Sequence, residues 1–149
     1  MWFKVILLVL LILIVLITVM IFYGKSSWQT DINDMQTKMQ SVRSCSSYEI
    51  FDPHDIADLP VPVKRYFKAV LKDNQPIISA AYISHTGSFN MGDTEDKWVP
   101  FNSTQFVITQ RPGFVWDARV RMAPGLDVFV YDAYVAGEGA LTAKILGII

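Results

Sequence analysis

The chain reads as an α+β protein: an N-terminal transmembrane helix, short helices, and a curved antiparallel β-meander that leaves an incomplete sheet. Three observations predict this. An uncharged apolar run begins at Val5 and ends at Phe22. Beyond it, apolar residues recur at helical spacing in two short stretches. From Pro76 onward the period changes to alternation, which is the mark of half-buried strands.

The apolar run sets the location. At about 1.5 Å per residue, residues 5–22 span roughly 27 Å as a helix, close to the hydrocarbon thickness of a bilayer. Trp2 and Phe3 on one side, and Tyr23 and Trp28 on the other, stand where headgroups would lie, and Lys4 and Lys25 bracket the run. A cleaved signal peptide has a shorter apolar core and small residues at its exit. Here the exit Phe22-Tyr23-Gly24-Lys25-Ser26 offers only Gly24 and Ser26, so an uncleaved signal-anchor over residues 1–25 is the reading. The bilayer is therefore an expected partner through the segment from Val5 to Phe22. Lys and Arg are nearly balanced on the two flanks. The four-residue tail ahead of the run favours a single-pass chain whose C-terminal domain lies outside the cytoplasm.

Composition excludes several classes. Of 149 residues 52% are hydrophobic, a figure raised by the anchor, and the formal net charge is −1. All 14 acidic residues lie beyond Lys25, mixed with basic ones, and no basic patch points to nucleic acid. The single Cys45 cannot form an intramolecular disulfide and reads as an incidental thiol or an intermolecular bridge.

Residues 26–50 read as a polar linker holding an amphipathic helix. Ile32, Met35, Met39 and Val42 recur at helical spacing, with Thr30 or Asp31 as N-cap and a serine-rich break at residues 44–47. The stripe is thin, and core packing is its simplest use. Residues 51–149 form the domain, expected to be truncated at its C-terminal end. Its first helix runs from Pro62 to Leu71, with proline in the first turn, Val63, Phe67, Val70 and Leu71 on one face, and Lys64, Arg65, Lys68 and Lys72 on the other. Strands follow over residues 77–89 and over 98–109, the second interrupted near Pro100, with an acidic turn at 91–96 between them. A turn at 110–113 then leads into the strict alternation of Phe114, Trp116, Ala118, Val120 and Met122.

The last three strands allow a register to be derived. With Ala123-Pro124-Gly125-Leu126 as the hairpin loop, Val120 pairs with Phe129, Ala118 with Tyr131, Trp116 with Ala133 and Phe114 with Val135. A three-residue loop, Gly137-Glu138-Gly139, then pairs Val135 with Leu141, Ala133 with Ala143 and Tyr131 with Ile145. This arrangement places Phe114, Trp116, Phe129 and Tyr131 on one apolar face, the candidate site for an apolar ligand. It also sets Asp117 opposite Asp132, flanked by Arg119 and Lys144, as a compensated charge cluster.

Chemistry is sparse elsewhere. Asp52-Pro53-His54-Asp55 has the residue types of a metal or acid–base site, but before a helix it is also what a capped turn looks like. His85 falls by parity on the face of Ile83 and Phe89, as a structural histidine. No nucleophile elbow, phosphate loop, Cys-x-x-Cys or His-Glu-x-x-His pattern occurs, so no catalytic residue, metal site or cofactor is assigned.

Several motifs follow one another in a fixed order: Leu59-Pro-Val-Pro-Val-Lys-Arg-Tyr-Phe67; Trp98-Val-Pro-Phe101 with Thr104-Gln105; Gly113-Phe-Val-Trp-Asp-Ala-Arg119; Met122-Ala-Pro-Gly125; and Asp132-Ala-Tyr-Val-Ala-Gly-Glu-Gly139. Over residues 51–149 the chain resembles a bacterial uncharacterised family, the DUF6544 (DUF6920-like) group. The resemblance implies a curved, mostly antiparallel sheet with a helix ahead of it, and no known activity or catalytic residue. Members of that group continue past the point where this sequence stops, which implies an unpaired last strand.

Three function classes are consistent with these readings. The first is an anchored, non-enzymatic envelope domain whose aromatic face holds a lipid-like ligand. The second is an enzyme, hydrolase-like, using Asp52, His54 and Asp55 or the Asp117/Asp132 pair. The third is an interaction protein that pairs with a second chain through an open edge at residues 141–149.

Overall fold

The structure, a computed structural model, describes residues 2–42, 49–109 and 111–149. Cys45 and the serine-rich break lie outside these residues.

The first helix, α1 (Trp2–Val42), is 41 residues long and unbroken. Anchor and amphipathic stretch are one element, which corrects the expectation of a separate helix capped at Thr30 or Asp31. The phase of the apolar stripe explains the continuity. Ile21, Gly24, Trp28, Ile32, Met35 and Met39 all lose exposure, at intervals of three or four residues, and so form one stripe down one side. Thr30 sits inside the helix and returns its hydroxyl to the carbonyl of Ser26 at 3.1 Å. Within α1, the portion that includes residues 5–22 is long and apolar enough to cross a membrane, and its side chains are exposed up to Met20.

A 3₁₀ turn (Pro53–Ile56) and α2 (Val61–Val70) come next, with proline in the first turn of each. They pack on each other, and α2 buries none of its residues.

The remainder is an open, five-stranded antiparallel meander in sequential order: β1 (Ala80–Asn90), β2 (Trp98–Ile108), β3 (Gly113–Ala123), β4 (Leu126–Val135) and β5 (Glu138–Ile145). β2 is not interrupted at Pro100, which pairs with Ser88 on the β1 side. Pairing with β3 begins only at Phe101, so proline stands where the strand has one neighbour.

Both derived registers are corrected. Ala123 does pair with Leu126 across the Pro124-Gly125 turn, as expected, but a bulge between Arg121 and Ala123 leaves Met122 unpaired and shifts everything beyond it by one residue. Val120 therefore faces Val128, Asp117 faces Tyr131 and Trp116 faces Asp132. The second hairpin turns on two residues, not three. Ala136 and Gly137 both take positive φ, 55° and 91°, which is the mirror-image turn that matches strand twist. Val135 consequently pairs with Glu138 and Asp132 with Leu141.

The shift changes what the sheet covers. α1 packs on β3 and β4, and the core lies between them: Trp28, Ile32 and Met39 from the helix against Phe106, Ile108, Val115, Phe129, Ala133 and Val135 from the sheet. The helix closing the core is therefore α1, not the Pro62–Leu71 segment.

Candidate functional site

The four residues expected to share an apolar face divide between the two sides of the sheet. Side chains alternate along a strand, and in the observed register Phe129 and Tyr131 stand beside Val115 and Asp117 under α1. Phe114 and Trp116 point to the opposite side. The charge cluster divides as well. Asp117, Arg119 and Lys144 lie on the helix side, with Lys144 opposite Phe129, whereas Asp132 is exposed on the other side opposite Leu141. The cause is the bulge at Met122 together with the two-residue second turn.

Asp117 and Arg119 do meet, in a junction with α1. Trp28, fully buried, donates its indole N–H to Asp117 Oδ1 at 2.8 Å, and Arg119 forms an ion pair with the same oxygen. The Arg119 guanidinium lies 3.9 Å from the centre of the Phe129 ring and 5.6 Å from that of Trp28. Trp28 also meets Phe129 edge-on at 5.6 Å and Tyr131 at 5.1 Å. Trp28 is thus a core residue and not the headgroup aromatic expected from its position after the apolar run. Beside this junction an open pocket of about 230 Å³ is lined by Asn102, Ser103, Thr104, Asp117 and Arg119.

Among the described residues no helix packs substantially on the opposite face, which holds a second group of three rings. Phe89 and Phe101 pack with ring centres 4.5 Å apart, and Trp116 approaches each of them at 6.2 Å. Register brings them together, since Gly87 pairs with Phe101 and Gln105 with Trp116 on neighbouring strands. Gly87 makes this possible: a Cβ there would sit 2.7 Å from the Phe101 ring. Between the rings, Ser103 and Ala118 are buried, while Phe89, Ile83, Tyr134 and Leu141 remain exposed on the same face. His85 stands in the row of Ser103, with Nδ1 3.4 Å from its hydroxyl, on the face of Ile83 and Phe89 that its parity predicts.

The Asp52-to-Asp55 segment is a capped turn. Asp52 accepts the backbone N–H of His54 at 2.8 Å, and its own N–H donates to Asp55 at 3.1 Å. The His54 ring meets Asp52 at 2.8 Å in an exposed pair. The backbone N–H of His54 and then its ring hold the Asp52 carboxyl below its usual range, and the hydrogen bond to Asp52 raises His54. Asp117 and Asp132 point to opposite sides of the sheet and do not meet, and neither lies on the element that carries Asp52, His54 and Asp55. Among the described residues no three His, Cys, Asp or Glu side chains converge as metal ligands.

Sequence reasoning missed Phe89, Phe101 and Trp28 as site residues. A signal existed for Trp28, because Ile21, Gly24 and Trp28 continue the Ile32–Met35–Met39 stripe in phase.

No curated protein matches the chain, and no solved structure matches it. The family model that does match is DUF6920, a family of unknown function, over residues 57–149; the DUF6544 name suggested by the motifs is not the one matched. That span covers both hairpin turns, the bulge and every strand, and on it the chain belongs to the DUF6920 family.

Proposed function

We propose that this chain is a membrane-tethered, non-enzymatic envelope domain, held on the outer side of the membrane, whose uncovered sheet face binds an apolar, lipid-like ligand. The observation that carries this reading is the Phe89–Phe101–Trp116 cluster on the sheet face away from α1. Contiguous exposed apolar surface on a folded domain marks an interaction site. The test is a photo-crosslinking benzoylphenylalanine in place of Phe101, with one in place of Phe129 under α1 as the control. Illumination in native membranes followed by mass spectrometry is expected to give adducts of lipid mass at position 101 and none at 129. Adducts of protein mass alone at 101 would refute the lipid reading.

A second reading has its own observation. Among the described residues β5 pairs only with β4, so up to Lys144 its outer edge presents unpaired backbone groups, and Leu141 beside them is 73% exposed. A second protein chain adding a strand there is expected to protect the β5 amides from exchange. A monodisperse monomer in lipid nanodiscs, with fast β5 exchange, would count against it.

A further inference from the structure

The place where α1 leaves the bilayer is also the place where the sheet begins. Gly24, two residues past Phe22, is buried against the turn that ends the chain. A Cβ on Gly24 would meet Ile148 Cγ1 at 2.5 Å and the Leu146 carbonyl at 2.9 Å, and one on Gly147 would sit 2.7 Å from the Gly24 carbonyl oxygen. The same turn is fastened to the start of β4 through the Leu146 N–H, which donates to the Asp127 carbonyl at 2.9 Å. Asp127 therefore lies level with Gly24.

Further contacts fix the direction of the sheet along the helix. Trp28 meets Phe129 and Tyr131, Lys38 pairs with Glu138 at 2.8 Å, and Met39 approaches Gly113, itself against the Tyr134 carbonyl. From Gly24 to Met39 the helix rises about 22 Å. From Asp127 to Tyr134 a strand rises about 23 Å. The two agree, so β4 runs alongside α1 in the same direction. The β3–β4 turn then extends past Gly24 back toward the anchor.

Its depth follows. Gly24 is about 3 Å beyond Phe22, inside a headgroup layer that is roughly 5–7 Å thick on each side of the hydrocarbon. Gly125 lies two strand residues below Asp127, about 7 Å nearer the bilayer centre. The tip thus passes the boundary between headgroups and hydrocarbon by about 4 Å. Its chemistry suits that position: Met122-Ala123-Pro124-Gly125-Leu126 carries no charge, and Leu126 is 39% exposed. Lys25 stands behind it at headgroup level, where cations are favoured, and Arg121 is held there in an ion pair with Asp127 at 3.1 Å. The β1–β2 loop at the same end of the sheet carries Asp93, Glu95 and Asp96; its strands lie to the side of β3 and β4, on which α1 packs, and it is not part of the proposed contact.

We propose that the β3–β4 turn is a second membrane contact, an uncharged tip seated in the bilayer interface, so that the domain rests on the lipid surface in a fixed orientation. The proposal rests on the tether reading above, and the experiment separates the two. In a Cys45→Ser background, nitroxides are placed singly at Leu13→Cys in the anchor, at Leu126→Cys and Ala123→Cys in the turn, and at Gly139→Cys at the far end. The protein is reconstituted in vesicles of phosphatidylethanolamine and phosphatidylglycerol, and collision with oxygen and with a water-soluble nickel chelate is measured by power saturation. The expected result is a Leu13 label seen only by oxygen, a Gly139 label seen freely by nickel, and turn labels with nickel access reduced at least fivefold relative to Gly139. Turn labels as open to nickel as Gly139, with Leu13 buried in lipid, overturn the second contact alone. A Leu13 label open to nickel overturns the tether and this placement together.

Discussion

Replacing Trp28 by alanine removes the largest side chain that joins anchor to sheet. Its indole is fully buried, packs on Phe129 and Tyr131, and donates to Asp117 at 2.8 Å. Truncating a buried Trp costs about 3–5 kcal/mol, through lost transfer energy and the cavity left behind. Asp117 keeps Arg119, so the lost hydrogen bond adds little beyond that. Trp28→Phe keeps an aromatic ring but removes the N–H, and is expected to cost about 1–2 kcal/mol, near the low end for a bond to a charged acceptor. The assay is amide exchange by mass spectrometry on the chain in lipid nanodiscs, read in β3 around Ala118 and in β4 around Val130. At tenfold per 1.4 kcal/mol, Trp28→Ala should accelerate exchange there by about 10²-fold or more, and Trp28→Phe by about tenfold. Trp98→Ala, at an exposed position, should leave both strands unchanged. Protection within about threefold of the parent in Trp28→Ala would refute the reasoning, since a headgroup tryptophan has no hold on the sheet.

Other perturbations have signs set by single contacts. Gly→Ala inside a helix normally stabilises by about 1 kcal/mol, but Gly24→Ala should destabilise, because the added methyl meets the Leu146 carbonyl; faster exchange over residues 145–149 checks it. Deleting Met122 should remove the bulge while leaving Arg121 opposite Asp127, so cross-strand nuclear Overhauser contacts between Asp117 and Tyr131 persist; their loss would refute the observed register. His54 should titrate above its ordinary 6.5 by NMR, returning toward that value in Asp52→Asn, and a midpoint at or below 6.5 in the parent would rule out the pair. Because His54 is raised, its contribution to the turn is full below 6.5 and is lost as pH rises through the folded value. Because Asp52 is lowered, its contribution is full above 3.8 and is lost as pH falls through the folded value, so the turn is firmest between these limits.

Much of this architecture was legible in the residues. The long apolar helix, the alternation of the strands, the Pro124-Gly125 turn and the parity of His85 all follow from local rules, because period and turn chemistry act over a few residues. The faces of the sheet did not follow, for two physical reasons. A bulge costs one residue and carries no strong sequence mark; Met122 looks like one more member of an apolar row. In the second hairpin, Gly137 and Gly139 both suit positive φ, and the chain places Ala136, a residue with a Cβ penalty, in the turn. The bulge moves side chains across the sheet, so Phe129 and Tyr131 parted from Phe114 and Trp116, and the second turn parted Lys144 from Asp132. The Phe89–Phe101–Trp116 cluster could be found only once β1, β2 and β3 were in register, because it joins three strands far apart in sequence.

The unbroken α1 has a mechanical consequence. No hinge separates the turns apolar enough to cross a membrane from those that carry Trp28, Ile32 and Met39, so the helix acts as a stiff lever about 60 Å long. Tilting such a rod by about 20°, a common angle for a membrane helix, carries Met39 sideways by about 9 Å relative to Phe22. A second contact at the β3–β4 turn would hold that tilt to one value, and the lever would then pass the orientation of its apolar turns on to the whole domain.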